Sequence, residues 1–397
     1  MVRVEEIVDR ESFEAWLEEL PKACRAQASV AISTRAALKA FPFWVAELET
    51  DWARVHQVSP FPIVRSILFA QAFCHIGFVG EKVFEQAAAG IGAVADHGMI
   101  GAHAYEAAYI AQCAVNAAAE PENWHYLAAN VASAVGALGT YNILWRETQL
   151  DCFARVDTFE QRLWSEHPPS EIATAWTTGR TWMQARPGYG FWIRWYEAAL
   201  AGRPLTGDWQ SHWQLMYDVA LIDPADWDKG AEHVAGVIDL ISQKQALQRD
   251  FAQIKRALEH EIFNAETLGQ HRDNLPDDLP PSRVVQYRAQ LREVLEELEA
   301  VEAALKPPVP DAEVLEEATG RLRAVWAKIK QYPLAAGFVV LMGAGVTGAV
   351  GQLGVRGMDW VIDEGVPALL RQIKDIKPKS SPLTQPSKEW EKPPVDV

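Results

Sequence analysis

Residues 237–258, VIDLISQKQALQRDFAQIKRAL, carry apolar side chains at alternating spacings of three and four residues. This heptad pattern predicts a helix whose apolar seam packs against a second helix. One register contains Val237, Lys244, Phe251 and Leu258. The other register, three residues later, contains Leu240, Leu247 and Ile254.

A second heptad run begins at Val284 and ends at Leu305. The intervening LPDDLPPS, residues 275–282, contains three prolines that cannot continue a helix. We therefore predict a long antiparallel, coiled-coil-like hairpin over residues 236–306. The predicted packing residues are Leu240, Leu247, Phe251, Ile254, Leu258, Val284, Leu291, Val294, Leu298 and Val301.

Helical patterns also dominate the rest of the chain, so the predicted fold class is all-α, a multi-helix bundle. Residues 64–145 are rich in Ala, the residue with the highest helix propensity. Asp311 is placed to cap a further helix, with an apolar face formed by Val314, Leu315, Ala318, Leu322, Val325, Trp326 and Ile329. The predicted divisions are N-terminal short helices (1–62), an Ala/Trp-rich bundle (63–235), the hairpin (236–306), an amphipathic plus a glycine-rich helix (311–373) and a disordered tail (374–397). A linker is expected around Phe41-Pro42 and from Ser59 to Pro62, between the first helices and the bundle.

Ten of the sixteen tryptophans lie between Trp124 and Trp227. Trp192 and Trp195, and Trp209 and Trp213, recur at helical spacing, which favours aromatic packing between short helices. The alternative is an aromatic-lined pocket or partner groove.

Composition excludes some classes of function. The formal net charge is −16, and no cluster of Lys and Arg forms the basic stripe that a nucleic acid requires, so we expect no nucleic-acid partner. The four cysteines have no metal-ligand spacing, which predicts reduced thiols. No signal peptide is evident, and we expect most of the protein to be cytoplasmic.

Residues 333–355, PLAAGFVVLMGAGVTGAVGQLGV, contain no charged side chain. A helix of about 20 such residues spans the hydrocarbon core of a bilayer. We expect this segment to be a transmembrane helix, which would anchor the protein at the inner face of the cell membrane; burial in a soluble core is the alternative. Small residues that would favour self-association are Gly343, Gly345, Thr347, Gly348, Gly351 and Gly354.

The same glycines match GxGxxG, the dinucleotide-binding fingerprint, from Gly343 to Gly348. That motif requires a surrounding parallel sheet, and the sequence predicts none. His97 and His103 lack a zinc-binding spacing, and no catalytic motif occurs. We therefore predict no catalytic, cofactor-binding or metal-binding residues.

Three hypotheses follow. The first is a non-enzymatic, membrane-associated effector or scaffold that oligomerises through the hairpin and the glycine-rich segment; its extension is a membrane-disrupting effector of bacterial antiphage defence. The second is a fully soluble helical protein–protein interaction module. The third is an enzyme with an aromatic-lined pocket. The expected partners are proteins, further copies of this chain and, for the first hypothesis, the membrane.

Overall fold

The computed structural model describes residues 3–7, 9–56, 58–76, 102–119, 146–147, 149, 151–152, 159–270, 281–306, 311–330 and 361–376. Within these ranges every regular element is helical and no strand occurs, so the all-α prediction is confirmed. The chain divides into two compact units, Met1–Ile241 and Ser242–Val397, which are described separately below.

The first unit begins with a short 3₁₀ turn, Val4–Glu6. Its helices are α1 (Arg10–Glu19), α2 (Lys22–Glu47), α3 (Asp51–Val55), α4 (Phe61–Ile76), α5 (Ala102–Ala119), α6 (Ser170–Gln184), α7 (Gly190–Ala201), α8 (Trp209–Ala220), α9 (Pro224–Trp227) and the start of α10 (Ala231–Gln270). Helix α2 packs against α4, α5 and α6 and is the central helix of this unit.

Helix α2 is buried on all sides, since every residue from 28 to 42 is shielded from solvent. Where α2 meets α6, Gly179 lies so close to Val45 that an added Cβ would be 2.3 Å from the valine Cγ2. The helix also continues through Pro42, where the sequence predicts a linker. A proline inside a helix costs about 3 kcal/mol, which the extensive burial of α2 offsets.

Burial of α2 places two cations, Arg35 and Lys39, in the core, where Asp151 pairs with both and Glu147 supplies a second carboxylate. Its Oδ1 accepts a hydrogen bond from Arg35 Nε at 2.8 Å, and its Oδ2 accepts one from Lys39 Nζ at 2.6 Å. Glu147 Oε2 lies 3.9 Å from the same Nζ. Burial lowers the pKa of Lys39, and the neighbouring carboxylates oppose that shift. The cluster therefore ties α2 to the segment that contains Glu147 and Asp151.

The tryptophans at helical spacing pack in the core of this unit, as the sequence predicts. Trp192 and Trp195 of α7 are each 1% exposed, and Trp213 of α8 is 9% exposed. Phe41 of α2 meets Trp195 edge to face, with ring centroids 5.7 Å apart. Such pairs add to the free energy gained by burying the rings.

The second unit contains the rest of α10, α11 (Pro281–Leu305), α12 (Ala312–Lys330), a π-helical turn at Val361–Gly365 and α13 (Val366–Asp375). Ion pairs connect α10 to α11, from Lys255 to Glu302 at 3.0 Å and from Arg292 to Glu266. Along α10, Lys255 comes before Glu266, but along α11 the partner of Lys255 comes after the partner of Glu266. The two helices therefore run antiparallel. The predicted coiled-coil geometry of this pair stays a prediction.

Most of the residues predicted to pack in the hairpin are buried, and their packing against one another in a hairpin stays a prediction. Leu240 is half-buried, and the side chain of Val284 lies outside the described residues. The buried members are Leu247, Phe251, Ile254, Leu258, Leu291, Val294, Leu298 and Val301.

Helix α12 begins as predicted, since Asp311 Oδ1 accepts hydrogen bonds from the backbone N–H groups of Glu313 and Val314. Its predicted apolar face is buried except for Val314, which is 52% exposed. Residues 333–355, and with them every glycine and threonine predicted to act in the membrane, lie outside the described residues. None of the described helices is both long enough and apolar enough to cross a bilayer.

We expect Asp151→Asn to lower the free energy of unfolding by about 3–5 kcal/mol, because it leaves the buried Arg35 without a carboxylate partner and Lys39 with only Glu147, at 3.9 Å. Urea unfolding followed by circular dichroism measures this change. Glu166→Gln is the matched control: Glu166 and its partner Arg146 are exposed, and the loss should be below about 1 kcal/mol. An equal, small loss for both variants would contradict the role given to Asp151.

Candidate functional site

The first unit contains a cavity of about 770 Å³, within the range typical of small-molecule sites. Three parts of the chain form it: α3 with the start of α4, the end of α6 with the following loop, and α9 with the start of α10. Its lining residues are Leu48, Ala53, Arg54, Val58, Ser59, Phe61, Pro62, Arg65, Trp182, Arg186, Tyr189, Pro224, Trp227, Asp228, Gly230 and Ala231.

Arg65 is the buried cation of this cavity. It projects from α4 and is only 9% exposed, and its Nε is buried without a hydrogen-bond partner. Among the described residues no carboxylate lies within ion-pair distance of its guanidinium, which instead stands 5.4 Å from the ring centroid of Phe69. A buried charge without a counter-ion costs several kcal/mol. Arg65 is therefore held in an environment that favours an incoming anion.

Two carboxylates act on Arg65 from a distance. Burial lowers the pKa of Arg65, and Asp228 and then Asp223 partly oppose this shift. Both aspartates are exposed, so water screens their charge. Asp223 also accepts a hydrogen bond from the backbone N–H of Ala225 as the cap of α9. The desolvation of Arg65 is therefore only partly offset within the protein.

Two further arginines line the cavity and are exposed. Arg186 follows α6 and lies over the ring of Trp182, with 4.2 Å from its Cζ to the ring centroid. Its Nη1 donates a hydrogen bond to the carbonyl oxygen of Trp182 at 2.8 Å, which holds the guanidinium in this position. Arg54 of α3 pairs with Asp51. The lining thus contains three arginines and one aspartate, an excess of positive charge.

Aromatic side chains form the apolar wall. Phe61 and Tyr189 stack with centroids 5.9 Å apart, and Trp227 meets Phe61 edge to face at 5.4 Å. These three rings are buried, and burial raises the pKa of the Tyr189 hydroxyl. Trp182, which meets Tyr189 at 5.1 Å, is only half-buried, and its indole Nε1 has no hydrogen-bond partner. Trp182 is therefore the aromatic residue with most surface left for a ligand.

The N-terminal end of α10 also reaches the cavity, through Gly230 and Ala231. The first N–H groups of a helix lack intrahelical partners and carry partial positive charge. Gly188, with φ of +89°, packs directly on this end: a Cβ there would lie 2.3 Å from the carbonyl carbon of Ala231. The close approach requires glycine and fixes the loop that carries Arg186 and Tyr189 beside α10.

Besides the three arginines, the ionisable groups of the described lining are the carboxylate of Asp228 and the hydroxyl of Tyr189. Among the described residues of the lining there is no histidine, cysteine, lysine or glutamate. The lining also contains Ser59, whose Oγ accepts a hydrogen bond from the backbone N–H of Phe61 at 3.2 Å. Among the described residues no group of three His, Cys, Asp or Glu side chains could hold a metal ion.

The sequence predicted a related feature, but not this site. An aromatic-lined pocket was the alternative interpretation of the Trp-rich stretch, and Trp182 and Trp227 of that stretch line the cavity. The arginines were missed because they lie far apart in the chain. A usable signal did exist: Arg65 is the only Asp, Glu, Lys or Arg between residues 57 and 80. A lone cation in an apolar helix needs a partner.

Comparisons with known proteins add no family or relative to this description. No protein-family model, no curated protein and no solved structure matches the chain.

Proposed function

We propose that the chain is a non-enzymatic helical protein whose first unit binds a small organic anion in the cavity around Arg65. The observation that carries the proposal is a buried guanidinium with an unpartnered Nε, lining a cavity of about 770 Å³. A bound anion would supply the missing counter-charge.

The residues around Arg65 also favour a negatively charged ligand. Arg186 and Arg54 extend the positive lining toward solvent, and the start of α10 adds the partial charge of a helix N-terminus. The aromatic wall offers apolar contact to the organic part of the ligand. Electrostatic attraction at the exposed arginines would also speed association, and this effect weakens as salt is added.

The test uses 8-anilinonaphthalene-1-sulfonate, an aromatic anion whose fluorescence rises in apolar sites. We expect saturable binding to the full chain and an increase in Kd of about tenfold or more in Arg65→Gln, since hydrogen bonds to charged groups contribute about 1.5–3 kcal/mol. A fluorescence titration measures both constants, and thermal unfolding checks that the variant folds.

Arg180→Gln is the matched control, because Arg180 lies on α6, pairs with Glu197 at 2.9 Å and does not line the cavity. Its Kd should equal that of the unmodified chain. Equal Kd values for Arg65→Gln and Arg180→Gln would contradict an anion site at Arg65, as would the absence of saturable binding.

A second candidate function concerns residues 242–397 and is carried by the absence of charge from residues 333 to 355. We propose that this segment inserts in a membrane and that the second unit oligomerises, so that the protein is a membrane-associated effector or scaffold. Membrane disruption in antiphage defence is the furthest form of this proposal. The ion-paired helices α10 and α11 would then carry the oligomerising surface.

Ala344→Lys tests this second function, since a lysine at the centre of a spanning helix costs about 2.5–3.5 kcal/mol. We expect the unmodified chain to float with vesicles of phosphatidylethanolamine and phosphatidylglycerol and to release a trapped dye, and the variant to do neither. Deletion of residues 333–355 should match the variant. An unmodified chain that stays out of the vesicle fraction would overturn the proposal.

A further inference from the structure

The chemistry of the cavity specifies its ligand more closely, and this inference rests on the proposed anion site. We propose that the ligand is a nucleotide, in which a flat ring bearing hydrogen-bond donors is joined through a hydroxylated sugar to a phosphate. Three features of the lining carry the proposal: the guanidinium of Arg65, the half-buried ring of Trp182 and the carboxylate of Asp228.

The anionic end of the ligand belongs at Arg65. A guanidinium presents a planar fork of N–H donors that matches the oxygens of a phosphate, and it remains charged even when burial lowers its pKa. Among the described residues no group accepts a hydrogen bond from the buried Nε of Arg65. The N-terminal end of α10 lines the same cavity, and such an end favours phosphate.

The flat part of the ligand belongs at Trp182. Arg186 already lies over this ring at 4.2 Å, which shows that a planar cationic group can occupy its face. A base can stack on the indole or on the guanidinium, because every base presents a flat π-face.

The carboxylate of Asp228 favours a nucleotide over a simple aromatic acid as the ligand. Its exposed carboxylate lines the cavity and accepts hydrogen bonds but cannot donate them. A benzoate-like ligand would offer this carboxylate only a like charge and a hydrocarbon edge. The sugar hydroxyls or the exocyclic amino group of a nucleotide would donate to it, while the phosphate remains at the arginines. The volume of about 770 Å³ leaves room for all three parts.

The experiment is isothermal titration of the full chain with AMP, GMP, CMP and UMP, and with adenosine and inorganic phosphate as fragments. We expect at least one nucleotide to bind about tenfold or more tightly than either fragment, since each fragment lacks contacts worth about 1.5–3 kcal/mol. The same nucleotide should displace 8-anilinonaphthalene-1-sulfonate, a measurement that needs no variant.

Matched variants test which residue contacts the phosphate of the nucleotide and which contacts the base. Arg65→Gln should reduce nucleotide affinity to that of the nucleoside, and Trp182→Leu should reduce it to that of phosphate. Arg180→Gln and Trp176→Leu, on the same helix as Trp182 but outside the lining, should leave it unchanged.

The outcomes distinguish a failure of the nucleotide proposal from a failure of the proposed anion site. Phosphate or adenosine binding as tightly as every nucleotide overturns the nucleotide proposal, as does failure of all four nucleotides while the naphthalenesulfonate still binds in an Arg65-dependent way. In those cases the anion site stands. Failure of the nucleotides and the naphthalenesulfonate together overturns both.

Discussion

The double ion pair of Asp151 with Arg35 and Lys39 is the interaction on which the first unit depends. Helix α2 can be buried on all sides only if its two cations are neutralised, because desolvating an unpaired charge costs several kcal/mol. Backbone carbonyls complete the set, since Arg35 Nη2 also donates to the carbonyl oxygen of Arg162 at 2.7 Å. With these charges satisfied, α4, α5 and α6 can pack directly on α2.

The same requirement, that a buried cation needs a counter-ion, makes Arg65 a candidate binding residue. Arg35 and Arg65 are both buried arginines on helices of one core, yet Arg35 has a carboxylate at 2.8 Å and Arg65 has none within ion-pair distance among the described residues. Arg35 borders a cavity of about 10 Å³, too small for a ligand, whereas Arg65 borders the cavity of about 770 Å³. A cation that the fold buries but does not neutralise reduces stability, and such residues concentrate at functional sites. The contrast is the physical basis for an anion site.

Local patterns in the sequence were sufficient for the fold class and for several details. Heptad spacing picked out residues of α10 and α11 that are buried in the structure. Asp311 was recognised as a helix cap because its partners lie two and three residues away. The break expected at Pro42 was wrong because packing around α2 outweighs the intrinsic cost of proline. The cavity could not be predicted, because its lining comes from around residues 60, 185 and 228, and no repeating pattern in the sequence links these three parts of the chain. Long-range charge pairing, such as Lys39 with Asp151, is invisible for the same reason.

The free energy of unfolding of Arg65→Met, measured with urea in the absence of any ligand, tests the central claim most directly. Methionine keeps much of the length and apolar surface of the side chain and removes only the buried charge. If the protein leaves Arg65 without a counter-ion, the variant should be more stable than the unmodified chain by about 1–3 kcal/mol. A loss of stability of similar size would show that Arg65 is a structural cation already satisfied by the protein, and would contradict the account.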